Sequence, residues 1–185
     1  MRGYPAIVIA LLLSASQSFA ADFPTRKAGL WELKMEFPGR NLPAQLMQQC
    51  TDAATDKYMT LNFGGAADRN CPKRDVQNNG GTITVDSVCQ FGEATIASHA
   101  TVSGDFNSAY NVQINSTRQG GPQIPGVAPG AETHMTIAAK WLGPCTAGQK
   151  PGDVTMGSGV KMNVLELQKA GGAPQQRPGA TNPGR

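Results

Sequence analysis

The sequence predicts a mainly β (α+β) protein: a curved antiparallel sheet or partial barrel of about six to seven strands with one short helix. Three observations lead there. Apolar and polar residues alternate with period two in several short segments, the pattern of strands half-buried on a sheet. Clusters of Asn, Gly and Pro separate those segments, and 22 Gly with 13 Pro leave little room for long helices. Four cysteines spread through the body of the chain can staple short strands together.

Taken in order, residues 1–20 read as a secretory signal peptide. Arg2 supplies a positive charge, residues 6–13 (AIVIALLL) are apolar, and residues 14–20 (SASQSFA) are small and mostly polar. Ser18 and Ala20 suit the −3 and −1 positions, so cleavage is expected after about Ala20. The apolar run stops at Ser14, short of the roughly 20 residues of a spanning helix. The processed chain is therefore expected in the periplasm with no membrane span. Residues 21–169 read as a single disulfide-linked β-rich domain. Residues 170–185 lack apolar side chains to bury and read as a disordered tail.

Within that domain residues 27–37 are the clearest strand, with Trp31, Leu33, Met35 and Phe37 alternating against Glu32, Lys34 and Glu36. Residues 42–50 suit either a strand or a helix. Residues 51–59 read as a short helix capped by Thr51 or Asp52, and Gly64-Gly65 as a loop. A meander follows. Val76 leads into the turn cluster Asn78-Asn79-Gly80-Gly81, and strands are expected over 82–89, 94–103, 110–115 and 133–142. Residues 119–130 (QGGPQIPGVAPG) cannot pair inside a sheet and read as an exposed loop. Residues 160–167 are apolar but of undecided type.

Cys50, Cys71, Cys89 and Cys145 stand 21, 18 and 56 residues apart, with none of the short C-x-x-C spacings of zinc or redox sites. In an exported chain they are expected as two disulfides. Cys71 and Cys89 lie equally far from Gly80, and opposed residues of an antiparallel hairpin approach closely. This favours Cys71–Cys89 and leaves Cys50 for Cys145, with the two other pairings still open.

The segment Arg26-Lys27-Ala28-Gly29-Leu30-Trp31-Glu32, Cys50-Thr51-Asp52, two central cysteines, and Gly143-Pro144-Cys145 with Lys150-Pro151-Gly152-Asp153 together resemble the bacterial family called domain of unknown function 3617. The resemblance covers about 25–153. It implies an exported protein of proteobacterial type, contributes no mechanism, and favours a strand over 44–50. Gly29-Leu30-Trp31 is also similar to the G-x-W that opens a lipocalin barrel, but the other lipocalin motifs are missing.

Chemistry is sparse. The body of the chain carries 15 Lys+Arg against 13 Asp+Glu, a balance that excludes a strong field for nucleic acid. Ser158 lies in Met156-Gly157-Ser158-Gly159-Val160, which misses the nucleophile elbow at its first glycine. Carboxylates are scattered, so no catalytic residue is assigned. No metal ligand or cofactor is assigned either: alternation puts His134 and Met135 on opposite faces, and His99 falls among polar neighbours. Arg69, Lys73 and Arg74 stand beside Asp68 and Asp75 and read as a solvated hairpin edge.

One face of the meander carries Thr84, Asp86, Thr95, His99, Thr101, Asn111, Gln113, Asn115 and Thr136, with His134 on the same polar side. Of these, His99, Thr101, Asn111, Gln113 and His134 are the candidate ligand-facing residues. Curved inward, that face would hydrogen-bond a polar ligand such as a glycan fragment; turned to water, it is ordinary exterior. The apolar face, with Met35, Met135, Trp31 and Trp141, reads as core. The expectation is a non-catalytic binding or envelope-accessory protein, whose partner would be a small polar ligand or an envelope protein. The alternative is a hydrolase acting on cell-envelope material.

Overall fold

A computed structural model describes residues 23–63, 70–123 and 126–169. The expected signal peptide, the loop at Gly64-Gly65, Asp68, Arg69 and the expected tail lie outside these residues. Nine strands form one antiparallel sheet: β1 (Gly29–Glu36), β2 (Gln45–Thr51), β3 (Lys73–Asn79), β4 (Thr82–Phe91), β5 (Ala94–Asp105), β6 (Ala109–Gln119), β7 (Glu132–Gly143), β8 (Asp153–Met156) and β9 (Lys161–Asn163). Their order across the sheet is β3-β4-β5-β6-β7-β1-β2-β8-β9. The sheet does not close, so β3 and β9 are its two edges. Among the described residues two helices accompany the sheet, α1 (Ala53–Phe63) and α2 (Val164–Lys169).

The meander β3 to β7 follows the alternation and the turns. Asn79 pairs with Thr82 across Gly80-Gly81, whose φ angles of 61° and 90° favour glycine. Phe91 pairs with Ala94 in the same way across Gly92-Glu93. At the β5–β6 turn Asp105 accepts from the Asn107 amide at 2.9 Å and the Ser108 hydroxyl at 2.8 Å, and these bonds hold its carboxyl below the usual carboxylate range. The Gly-Pro segment after Gln119 connects β6 to β7, as expected of residues that cannot pair.

Two strands exceed the expected six or seven. Residues 160–167, undecided from sequence, divide into β9 and the start of α2. With four and three residues, β8 and β9 are too short to display an alternation. The ambiguous segment before the helix is β2, and Thr51 belongs to it. Asp52 is the cap of α1: its carboxylate accepts from the Thr55 amide at 2.8 Å, while the Thr55 hydroxyl accepts from the Asp52 amide at 2.8 Å. The Thr55 amide, and the Thr55 hydroxyl donating to Asp52 Oδ1 at 2.8 Å, hold the Asp52 carboxyl below its ordinary value.

One face of the sheet is apolar and carries the core. Trp31, Leu33, Met47, Ile83, Val85, Val102, Tyr110, Ala139 and Val154 meet Met59 of α1 and Val164 of α2. Burying such side chains contributes about 1.5–3 kcal/mol each relative to exposure.

Candidate functional site

The opposite face of the meander is a carpet of hydrogen-bonding side chains. Paired residues of an antiparallel ladder share a face, so the register defines rows running across the strands. One row is Asp75, Asp86, His99, Asn115 and His134; the next is Gln77, Thr84, Thr101, Gln113 and Thr136. Asn111 lies one row further, between Ser103 and Ala138. The structure therefore brings His99, Thr101, Asn111, Gln113 and His134 onto one continuous surface spanning β5, β6 and β7.

Two imidazoles are oriented on it by their neighbours. His99 Nδ1 lies 2.8 Å from the Asp86 carboxylate, with the two side chains 50% and 60% exposed. His134 Nδ1 lies 2.8 Å from Asn115 Oδ1. Each oxygen accepts, so each imidazole donates from Nδ1, and the neutral ring then offers Nε2 as an acceptor to a ligand. Asp75 accepts from Gln77 Nε2 at 2.8 Å. Among the described residues, no three His, Cys, Asp or Glu side chains gather as a metal ion would require.

A cavity of about 860 Å³ lies at the far end of the same strands. Lys73, Asp75, Asp86, His99, Asn115 and Glu132 contribute to its lining, with Ser87, Ser98, Ser116 and Thr117 between them. His99 is the one candidate residue in that lining; Thr101, Asn111, Gln113 and His134 are outside it. Sequence reasoning placed Asp86 and Asn115 on the face without singling them out, read Lys73 with Asp75 as a solvated hairpin edge, and missed Glu132. The hairpin register is the signal that could have found Lys73 and Asp75, because Gly80-Gly81 fixes which residues of β3 stand beside β4.

The family-like segments meet elsewhere, at the end of the sheet where β1 starts and β2 and β7 finish. Arg26 and Asp56 are both buried and pair through Arg26 Nε and Asp56 Oδ1 at 2.5 Å, while the Arg26 amide donates to Asp56 Oδ2 at 2.8 Å. Arg26 Nη1 also donates to Gln49 Oε1 at 3.0 Å and to the Tyr110 hydroxyl at 3.3 Å. Burial pushes the Tyr110 phenol up, against the opposing pull of Arg26. Trp31 is fully buried and donates from its indole to the Lys27 carbonyl at 2.8 Å. Lys27 Nζ sits 3.6 Å over the Trp141 ring, and Trp141 donates to the Ala28 carbonyl. At Gly29, with φ of 133°, a Cβ would collide with the Gly143 carbonyl and lie 2.6 Å from Trp141 Nε1. The motif Arg-Lys-x-Gly-x-Trp is thus an anchor of the fold, and its buried pair was not foreseen from sequence.

The cysteines pair at disulfide distance, Cys50 with Cys145 and Cys71 with Cys89. Cys50 lies opposite Leu30, which also pairs with Gly143, so the first link straddles the start of β1. The second departs from the expected symmetry. The two-residue turn sets a register of Lys73 opposite Val88, which continued outward would oppose Pro72, not Cys71, to Cys89. The link forms where the ladder has ended and the chain can shift.

No helix among the described residues is long and apolar enough to cross a membrane. No curated protein matches the chain, and no solved structure does. The family described as "Protein of unknown function (DUF3617)" matches residues 26–145. That match starts at the buried Arg26 and stops at the cysteine bonded to Cys50, and the chain belongs to this family.

Proposed function

We propose that the protein is exported by its N-terminal signal to the periplasm and acts there as a non-catalytic binding module. Its ligand is polar, and the binding surface is the hydrogen-bonding face of β4 to β7 with the adjoining cavity. The observation that carries this reading is the unbroken row of Asp86, His99, Asn115 and His134, in which each imidazole is oriented through Nδ1. Side chains already held in place lose less freedom when a ligand binds. Polar groups in the next row, Thr101 and Gln113, extend the hydrogen-bonding surface, while Val88 and Ala97 contribute apolar patches to the cavity; that mixture suits a glycan fragment, whose sugar rings carry both hydroxyl and C–H faces.

The test is a thermal-shift and calorimetric screen of the processed protein, cystines intact, against envelope glycan fragments. A specific ligand raises the melting temperature by mass action, and His99→Ala with Gln113→Ala should remove the shift. A panel without any shift would sink the proposal.

Asp86–His99 also supports a second reading, a hydrolase of envelope material, because a carboxylate orienting an imidazole is half of an acyl-transfer triad. Among the described residues no hydroxyl is hydrogen-bonded to His99 Nε2. Turnover of ester or peptide fragments of the envelope that Asp86→Asn abolishes would replace the binding reading with this one.

A further inference from the structure

The cavity floor contains a row with opposite charges at its two ends. The register aligns Lys73 of β3 with Val88, Ala97, Thr117 and Glu132 of β4 to β7, and all five residues line the cavity. Five strands at the usual spacing make the row roughly 19 Å long. Lys73 and Glu132 are exposed, and among the described residues neither has an ion-pair partner. Val88 and Ala97 form a small apolar floor between them.

The two ends are not equivalent. Lys73 stands beside the carboxylates of the adjoining row, Asp75 and Asp86, which accept from Gln77 and from His99. Arg74 faces the other way: its guanidinium lies 5.8 Å from the centre of the Phe23 ring, and Phe23 packs against the core. The outward lining of the cavity therefore sets one cation, Lys73, against three carboxylates, Asp75, Asp86 and Glu132. This occurs in a chain whose formal net charge is +3. Among the described residues, Glu132 alone of the three accepts no side-chain hydrogen bond. A cleft with one prevailing sign of charge gathers ligands of the other.

We infer that this cavity takes an amine-bearing glycan fragment, seated with its ammonium group on Glu132 and its opposite end beside Lys73. The inference rests on the polar-ligand reading and adds the class of the ligand and its direction. His99 Nε2 and Asn115 Nδ2 are left to meet ring hydroxyls, because His99 Nδ1 and Asn115 Oδ1 are already engaged. Val88 and Ala97 take the C–H faces of the rings. Lys73 repels an ammonium group from the β3 end, where Asp75 and Asp86 would otherwise attract it. One unpaired cation thus fixes which way the ligand lies.

Calorimetry of the intact protein compares two forms of an N-acetylglucosamine tetrasaccharide, one fully acetylated and one with a free amine at its non-reducing end. The amine form should bind about three- to fivefold tighter at low salt, and the advantage should fade as salt rises. Glu132→Gln should remove the advantage and leave the acetylated form binding as before. Direction is read by NMR with a nitroxide on the reducing end of the amine form. Broadening should fall on amides of β3 and β4 and spare β7, whereas Lys73→Gln should spread it to both ends. Equal affinity of the two forms, or an advantage that survives Glu132→Gln, would overturn the amine site and leave the polar-ligand reading standing. Broadening that reaches β7 in the unaltered protein, or that Lys73→Gln leaves unchanged, would overturn the seating. Binding of neither form would overturn the inference, and the reading beneath it falls only if the whole glycan panel is silent.

Discussion

Arg26 and Asp56 concentrate the energetics of the fold into two side chains. Each is almost fully buried, and an ion taken out of water without its partner is costly. Asp56→Asn or Arg26→Met is expected to destabilise the protein by about 3–5 kcal/mol, read as the midpoint of urea unfolding. The double replacement Arg26→Met/Asp56→Leu should cost less than the sum, because no orphan charge is left behind. A strictly additive pair would contradict this account. Carboxylates at turns contribute to the acid response. Asp52 and Asp105 are held below their ordinary value by hydrogen bonds from Thr55 and from Asn107 with Ser108. Their stabilisation is therefore complete above the unfolded aspartate value near 4, and is lost as pH falls through the depressed folded values. Asp52→Asn/Asp105→Asn should flatten the stability curve of the protein below about pH 4, and an unchanged acid transition would count against these two groups. None of the buried network was readable beforehand. Arg26 meets Asp56, Gln49 and Tyr110 across 30, 23 and 84 residues, and nothing local in the chain marks those separations.

Strands that announce themselves by alternation were legible, and those that cannot were not. β4 to β7 are long, and Gly80-Gly81 and Gly92 mark their turns, so the polar row bearing His99, Asn115 and His134 follows from the pattern. β8 and β9 carry too few residues for a period to appear, and the depth of the cavity beside Asp86 depends on how the sheet bends. The disulfide partners followed from hairpin spacing, yet their register was off by one because the turn has two residues and its midpoint falls between Gly80 and Gly81. β3 is an edge strand bonded to β4 alone, which makes the Cys71–Cys89 clip its main restraint at one end. Cys71→Ala/Cys89→Ala is expected to cost about 3 kcal/mol by loop entropy. The accompanying signature is faster amide exchange in β3 than in β5 and β6. Uniform loosening across the sheet would mean that the clip serves some other element.

For the molecule as a whole the link between Cys50 and Cys145 closes a loop spanning 95 residues, and its loss should cost about 4–5 kcal/mol. Unfolding of the Cys50→Ala/Cys145→Ala variant, compared with the intact protein under identical urea conditions, checks that figure. A midpoint unchanged by the replacement would show the loop to be held closed by packing alone. The position of β1 has a further consequence. Although the first strand among the described residues, it lies between β2 and β7, and its second neighbour ends only at Gly143. Until the chain has been made as far as Gly143, β1 has only β2 beside it and stays half-paired. Contacts so distant along the chain form slowly, so the middle of the sheet is expected to be the last part of the molecule to set.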